Sequence, residues 1–298
     1  MNPGYIYIVY QEQGLFPMSI VSSNEVISML RFLLLLTTSI AILPSACNAQ
    51  EIPQKIAIIK ADDVRGVTEN WNRFFAISKE RNVKVAAGII CNSLTGNQTE
   101  YFEWLRAHAT SGQVEFWNHG WDHRRWQDDG DRQVSEFSGS GYEHQKTHFE
   151  ESQELMARVL GTPPVTFGPP FNAFDQDTVR VMSESDEMQA FFTYSSAHFK
   201  KKLRRLESTL LVPMTLRGEH NGAGRPDFEA FKTTYFKQKD VSFTAIQFHP
   251  NAFGEEHFDE YARILDFLIS EGWVFMLPRE YVDYVKQPGT KMNAICDR

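Results

Sequence analysis

Ile56-Ala57-Ile58-Ile59-Lys60-Ala61-Asp62-Asp63 is an apolar run that ends on two adjacent carboxylates. A short run of β-branched and small apolar side chains reads as a strand buried on both faces. A helical period takes over directly afterwards. Trp71, Phe74, Phe75 and Ile77 share one face of residues 69–79, and Thr68 stands where an N-cap belongs. The pattern then repeats. Val83 to Ile90 reads as a strand, 99–109 as a helix, and Val114-Glu115-Phe116-Trp117 as a strand running into Asn118-His119.

A stretch at 127–141, rich in Asp, Gly and Ser, reads as a loop before a long helix through Glu150, Leu155, Met156 and Leu160, stopped by Gly161 and Pro163. Val165-Thr166-Phe167 is a further strand and 175–185 a helix. Residues 191–194 and 210–216 are strand candidates, Thr244 to Phe248 is a strand, 256–270 a helix, 273–276 a strand, and a last short helix starts at Arg279. Repeated strand–helix alternation implies α/β architecture with parallel strands and helices outside. No linker-like composition shift interrupts it, so residues 50–298 read as one domain.

In such folds chemistry gathers where strands end. The first strand delivers Asp62-Asp63, the third His119 and His123, the fourth Pro169-Pro170-Phe171-Asn172, and the Thr244–Phe248 strand His249-Pro250. Two histidines four apart lie on one face of a helical turn, which the sequence predicts here, so both imidazoles can converge on one cation. With one carboxylate they form a facial three-ligand set that leaves positions open for water and substrate. Adjacent carboxylates normally point different ways, so one aspartate could bind metal while its neighbour accepts a proton.

These residues, in this order, resemble the polysaccharide deacetylase family, the NodB-homology or carbohydrate esterase 4-like group, across about residues 55–285. The resemblance implies a distorted (β/α)7-type barrel of mostly parallel strands. It implies that Asp62 is the catalytic base, that Asp63, His119 and His123 hold a divalent metal such as Zn²⁺, and that His249 is the general acid. Gly168-Pro169-Pro170-Phe171-Asn172 resembles the third motif, so Pro169, Pro170, Phe171 and Asn172 would line the substrate groove. The implied activity is hydrolysis of acetyl groups on a polysaccharide or oligosaccharide. Two other readings are a small-amide or C–N hydrolase of the same superfamily and a carbohydrate-binding protein that has lost catalysis.

The chain departs from the pattern in two places. Val64 and Arg65 intervene before Gly66, and Gly168 stands where the third motif usually carries an arginine that orients the base. Arg65, on the neighbouring loop, is the candidate substitute. Of the aromatics around these motifs (Trp117, Trp121, Trp126, Phe171 and Phe174), Trp121 and Phe171 are expected to touch substrate and the rest to pack. His108, His144, His148, His198, His220 and His257 show no partner pattern and read as solvated or structural. Lys200-Lys201-Lys202-Leu203-Arg204-Arg205 reads as an exposed basic face.

The N-terminus differs from the rest. Arg31 precedes an apolar run from Phe32 to Leu43, broken by Pro44 and followed by Ala46-Cys47-Asn48-Ala49. A positive charge, a short apolar core and an A-x-A-like ending describe a secretory signal peptide cut after Ala49. The upstream stretch then reads as an over-extended frame, with the start at Met29 or Met18. A stable membrane span needs about 20 apolar residues, and this run is shorter. Lipid anchoring through Cys47 is the weaker alternative, because Pro44 sits where that signal usually has Leu.

The expected place is therefore periplasmic or extracellular, where Cys91 and Cys296 could pair or remain thiols. Composition fits. The 298 residues are 42% hydrophobic, which excludes disorder, and their net charge of -8 argues against a general nucleic-acid partner. Three cysteines are too few for a disulfide scaffold.

Overall fold

The computed structural model describes residues 55–194, 206, 208–238 and 240–287. The expected signal segment, Cys47, His198, the Lys200–Arg205 run and Cys296 lie outside these residues. Strand β1 (Ile56–Val64) is the centre of the sheet, with every residue but Asp63 buried. It pairs in parallel with β2 (Val85–Ile89) on one side and β9 (Phe243–Phe248) on the other, while Ile56 and Ala57 also meet β10 (Val274–Phe275). From β2 the sheet continues through β3 (Val114–Asn118), β6 (Thr166–Phe167), β7 (Ala190–Tyr194) and β8 (Leu210–Met214), all parallel. Past β8, Thr215 and Leu216 donate their N–H groups to the Thr244 side chain at 3.1 and 3.0 Å. The sheet therefore curls towards β9 without a backbone ladder there, and forms the distorted half-barrel expected from the resemblance.

The pleat decides which side of β1 faces which core. Ile56 and Ile58 join the apolar cluster on the concave side with Trp117, Phe192 and Val212, closed by Tyr281 stacked on Phe243 at 3.9 Å. Ala57, Ile59 and Ala61 belong to the larger core under the helices. By the same alternation Lys60 and Asp62 face the concave side.

The helices are α1 (Glu69–Glu80), α2 (Thr99–Thr110), α3 (Tyr142–Leu160), α4 (Gln176–Ser183), α5 (Phe228–Lys237), α6 (Glu255–Ser270) and α7 (Pro278–Lys286). Thr68 caps α1 by accepting the Trp71 N–H at 3.2 Å, a contact worth about 1 kcal/mol. On α1, Phe74 stacks against Tyr261 of α6 at 4.3 Å. Gly161 ends α3 in the left-handed conformation, as its position predicts. Among the described helices none is long and apolar enough to cross a membrane.

Two elements differ from the sequence reading. The expected loop at 127–141 contains half of a small antiparallel hairpin, β4 (Arg125–Gln127) and β5 (Gln133–Ser135). Its turn is closed by the Asp128 carboxylate, which accepts the N–H groups of Gly130 and Arg132 at 3.0 and 2.9 Å. Helix α5 was not read from the sequence. It is capped by Asp227 and buries only Phe231 and Tyr235, too few anchors to reveal a period.

Candidate active site

Asp62 and Asp63 leave the sheet at a register shift between Ala61 and Val64, where Asp63 takes φ 74°. A bulge of this kind re-aims side chains. Neighbouring carboxylates, expected to diverge, thus both reach one site. The His119 Nε2 atom lies 3.6 Å from Asp62 Oδ2 and 3.4 Å from Asp63 Oδ1, and His123 Nε2 is also 3.4 Å from Asp63 Oδ1.

Asp63 Oδ1 is buried and has no hydrogen-bond partner among the described residues. His119 Nδ1 donates to the Gly168 carbonyl at 2.7 Å, which turns Nε2 towards the site. Burial, followed by the neighbouring His119, lowers His123 to about 4, so it is a neutral donor at neutral pH. Burial pushes Asp63 up, but the adjoining imidazoles outweigh it and hold the carboxylate below its ordinary range. Donor types, protonation and the orphaned oxygen all fit a divalent cation at Asp63, His119 and His123.

The expected helical turn between the two histidines is absent. Gly120 and His123 both adopt positive φ, and the segment is an open turn. Glu136, fully buried, accepts the backbone N–H groups of Trp121, Asp122 and His123 at 2.5, 3.3 and 2.7 Å. Behind it, His148 Nδ1 contacts Glu136 at 3.0 Å and the His144 ring packs on His148 at 4.0 Å. Asp122, Glu136 and His148 also lie close enough to hold a cation. Both Glu136 oxygens are already committed, so this group acts as a clamp on the histidine turn.

Asp62 has a different environment. Lys60, wholly buried, places its ammonium 2.5 Å from both Asp62 oxygens, and Gln247 donates to Oδ2 at 2.7 Å. Burial raises Asp62, but Lys60, His119 and His249 together hold it below the usual carboxylate range. Burial in turn pulls Lys60 down, opposed by Asp62. Arg65, expected to take this role, is exposed and donates instead to the Asp122 carbonyl at 3.3 Å. Its side chain leaves the sheet on the other side of the bulge, whereas Lys60 shares the pleat face of Asp62.

The Lys60 ammonium also sits 4.7 Å from the Trp117 ring and 5.5 Å from Phe192. Trp117 fills the space above Gly168 and Gly88, where an added Cβ would fall 2.6 and 2.5 Å from the indole.

His249 lies 3.9 Å from Asp62 Oδ2 and is gripped by Glu219, whose carboxylate accepts Nδ1–H at 2.7 Å and the His249 backbone N–H at 2.6 Å. Burial lowers His249, but Glu219 and Asp62 outweigh it, so its proton is held more tightly than usual. A cavity of about 450 Å³ joins these groups. Asp62, His123, Phe171, Asn172, Arg217 and His249 are among its walls.

The third-motif turn divides. Phe171 and Asn172, both at positive φ, line the cavity, and Phe171 packs on His123 at 4.1 Å. Pro169 and Pro170 are buried beneath them and do not line it. Trp121, expected on substrate, packs against the main core and does not line the cavity either.

Three of the remaining histidines are structural, as read. His108 packs on Phe75 and Trp104, His257 accepts the Gly254 N–H, and His220 contacts the Arg217 carbonyl. His148 does have a specific partner, in Glu136. Cys91 is a buried thiol pushed up to about 12 by burial.

The family model described as polysaccharide deacetylase matches residues 49–189. That span contains Asp62, Asp63, His119, His123 and the 168–172 turn. Over those residues the chain is similar to the polysaccharide deacetylase family.

Glu219, Gln247 and His249 lie beyond the matched residues. No curated protein matches the chain. Among solved structures, a family 4 acetyl xylan esterase from Clostridium thermocellum in complex with a cobalt ion is 15% identical, with 75% of this chain and 89% of that one covered at a TM-score of 0.52. The peptidoglycan deacetylase PdaC from Bacillus subtilis is 14% identical over 78% and 93% of the two chains, with a TM-score of 0.51. A family 4 pseudoenzyme from Bacillus anthracis is 13% identical over 78% and 67%, with a TM-score of 0.53. At such identities the likeness shows the shared fold. This chain has Gly168 and a lysine-held Asp62.

Proposed function

We propose that the protein is a metal-dependent hydrolase that removes acetyl groups from a polysaccharide or oligosaccharide outside the cytoplasm. The observation that carries this reading is the unpartnered Asp63 Oδ1 between two imidazole Nε2 atoms, next to a second carboxylate that His249 reaches at 3.9 Å. When bound by Asp63, His119 and His123, a divalent cation such as Zn²⁺ supplies Lewis-acid polarisation and lowers the pKa of water.

The chain's own groups move the protons. Asp62, ionised and fixed by Lys60 and Gln247, takes a proton from the attacking water as the new C–O bond forms at the acyl carbon. His249, kept protonated by Glu219, gives its proton to the departing nitrogen or oxygen as that bond breaks. Acetate and a free amine or hydroxyl are the products. Phe171 and Asn172 offer one wall to the sugar. The signal-like segment ending at Ala49 supports an exported site of action.

The test measures bound metal and acetate release on a panel of acetylated glycans. Asp62→Asn should retain metal and lose at least about 100-fold in turnover, whereas His123→Ala should lose both. His249→Ala should retain metal with a similar loss of turnover. Equal acetate release by all variants would show the site assignment to be wrong. A second reading, glycan binding without turnover, is favoured by Gly168 in place of the base-orienting arginine; metal binding with no acetate from any glycan would support it.

A further inference from the structure

Arg217 is the one lysine or arginine among the residues lining the cavity, and it forms no ion pair among the described residues. The carboxylates on the same wall are already matched: Asp62 by Lys60 and Glu219 by His249. Its guanidinium charge is therefore left for something that enters the cavity.

The segment carrying it is rigid. Thr215 and Leu216 are tied by their N–H groups to Thr244, and Gly218 is pressed so closely on Phe248 and Ile246 that an added Cβ would lie 2.5 and 2.8 Å from them. Glu219 is fixed by the backbone N–H of His249, and the Arg217 carbonyl meets His220 at 3.1 Å. A guanidinium on so fixed a mount loses little freedom on binding, and its planar fork matches a carboxylate.

Its location relative to the proposed reacting centre follows from the walls they share. Arg217 and Tyr194 both line the cavity, as do Asp62, Gln247 and His249. The Tyr194 hydroxyl reaches Gln247 Oε1 at 3.4 Å, and Gln247 donates to Asp62. The cation and the proposed base thus share the walls of one cavity of about 450 Å³. A cavity of that size is within the range that holds a small ligand.

Resting on the deacetylase reading above, we propose that the site takes acetylated glycans bearing a carboxylate on the acetylated sugar or its neighbour, and that Arg217 recognises that carboxylate.

The experiment uses the full-length, metal-loaded protein and three probes. These are a neutral N-acetylglucosamine oligomer, an oligomer alternating N-acetylhexosamine with hexuronate, and a strand whose alternate sugars carry a lactyl-ether carboxylate. The wild type should favour at least one carboxylated probe in kcat/KM, and that preference should shrink with added salt. Arg217→Gln should reduce the acidic-to-neutral ratio about 10- to 100-fold, chiefly through KM, and Arg217→Lys should restore part of it. The probe that gains more identifies the carrier of the carboxylate.

An unchanged ratio in Arg217→Gln overturns the proposal while acetate release still upholds the hydrolase. Calorimetric binding of the same probes to Asp62→Asn separates the converse case. If carboxylated probes bind through Arg217 but no probe yields acetate, the hydrolase reading fails and acidic-glycan recognition stands.

Discussion

The two halves of the site are finished to different degrees. On the side of Asp63, His119 and His123, a buried carboxylate oxygen has no hydrogen-bond partner among the described residues and two imidazole Nε2 atoms face it at 3.4 Å. On the side of Asp62 and His249, each group is already held: Asp62 by Lys60 and Gln247, His249 by Glu219. An unpaired buried oxygen is costly, roughly 1–3 kcal/mol, so it marks the place where a ligand completes the structure. A paired one marks a group whose position and charge were set before any ligand arrives. In the proposed function the first half binds and the second transfers protons.

The most damaging way to test this contrast is Lys60→Met. Removing one partner of a buried ion pair leaves the other charge uncompensated, at about 3–5 kcal/mol of stability. Chemical denaturation should show that loss, and metal binding by the folded fraction should survive. The sign with pH is fixed by Asp62, whose carboxyl is held low in the wild type. Its contribution is present above the unfolded carboxyl range and disappears as pH falls through the depressed folded range. In Lys60→Met, with the leading cause of that depression gone, this acid-sensitive part of the stability should shrink.

A smaller effect, confined to the other half, is expected of Glu136→Gln. The clamp on the Trp121–His123 turn loses its charge, and metal affinity should fall about 10- to 100-fold by competition with a chelator, with folding intact. Loss of turnover at saturating metal would blur the distinction between the halves. The mildest variant is Glu219→Gln. Glu219 is the leading influence that raises His249, so the protonated form should persist to a lower pH than in the wild type. The alkaline limb of the kcat–pH profile should move down, with the acid limb and metal content unchanged.

Much of the fold could be read because parallel strands are buried on both faces and stand out as apolar runs. Asp62-Asp63, Asn118-His119 and His249 all fall where such runs stop, and the structure links Asp62, Asp63, His119 and His249 by contacts of 3.4–3.9 Å. What could not be read was anything that depends on approach between distant segments. Glu136 reaches the histidine turn from the hairpin, and Glu219 reaches His249 from beyond β8, with no local spacing to announce either. The helical turn expected between His119 and His123 failed for the same reason, since a distant carboxylate supplies the hydrogen bonds that a helix would have made internally. Lys60 is a different case. Alternation along β1 alone places it on the face of Asp62, a local signal that Arg65 lacks.

The packing of Trp117 between Gly88 and Gly168 bears on how this site can change over time. Any side chain at position 168 collides with the indole, and the carbonyl of that residue orients His119. An arginine placed there alone would displace His119 before it could reach Asp62. The lysine, the tryptophan and the glycines are interlocked, so position 168 cannot change by itself without disturbing the histidine beside it.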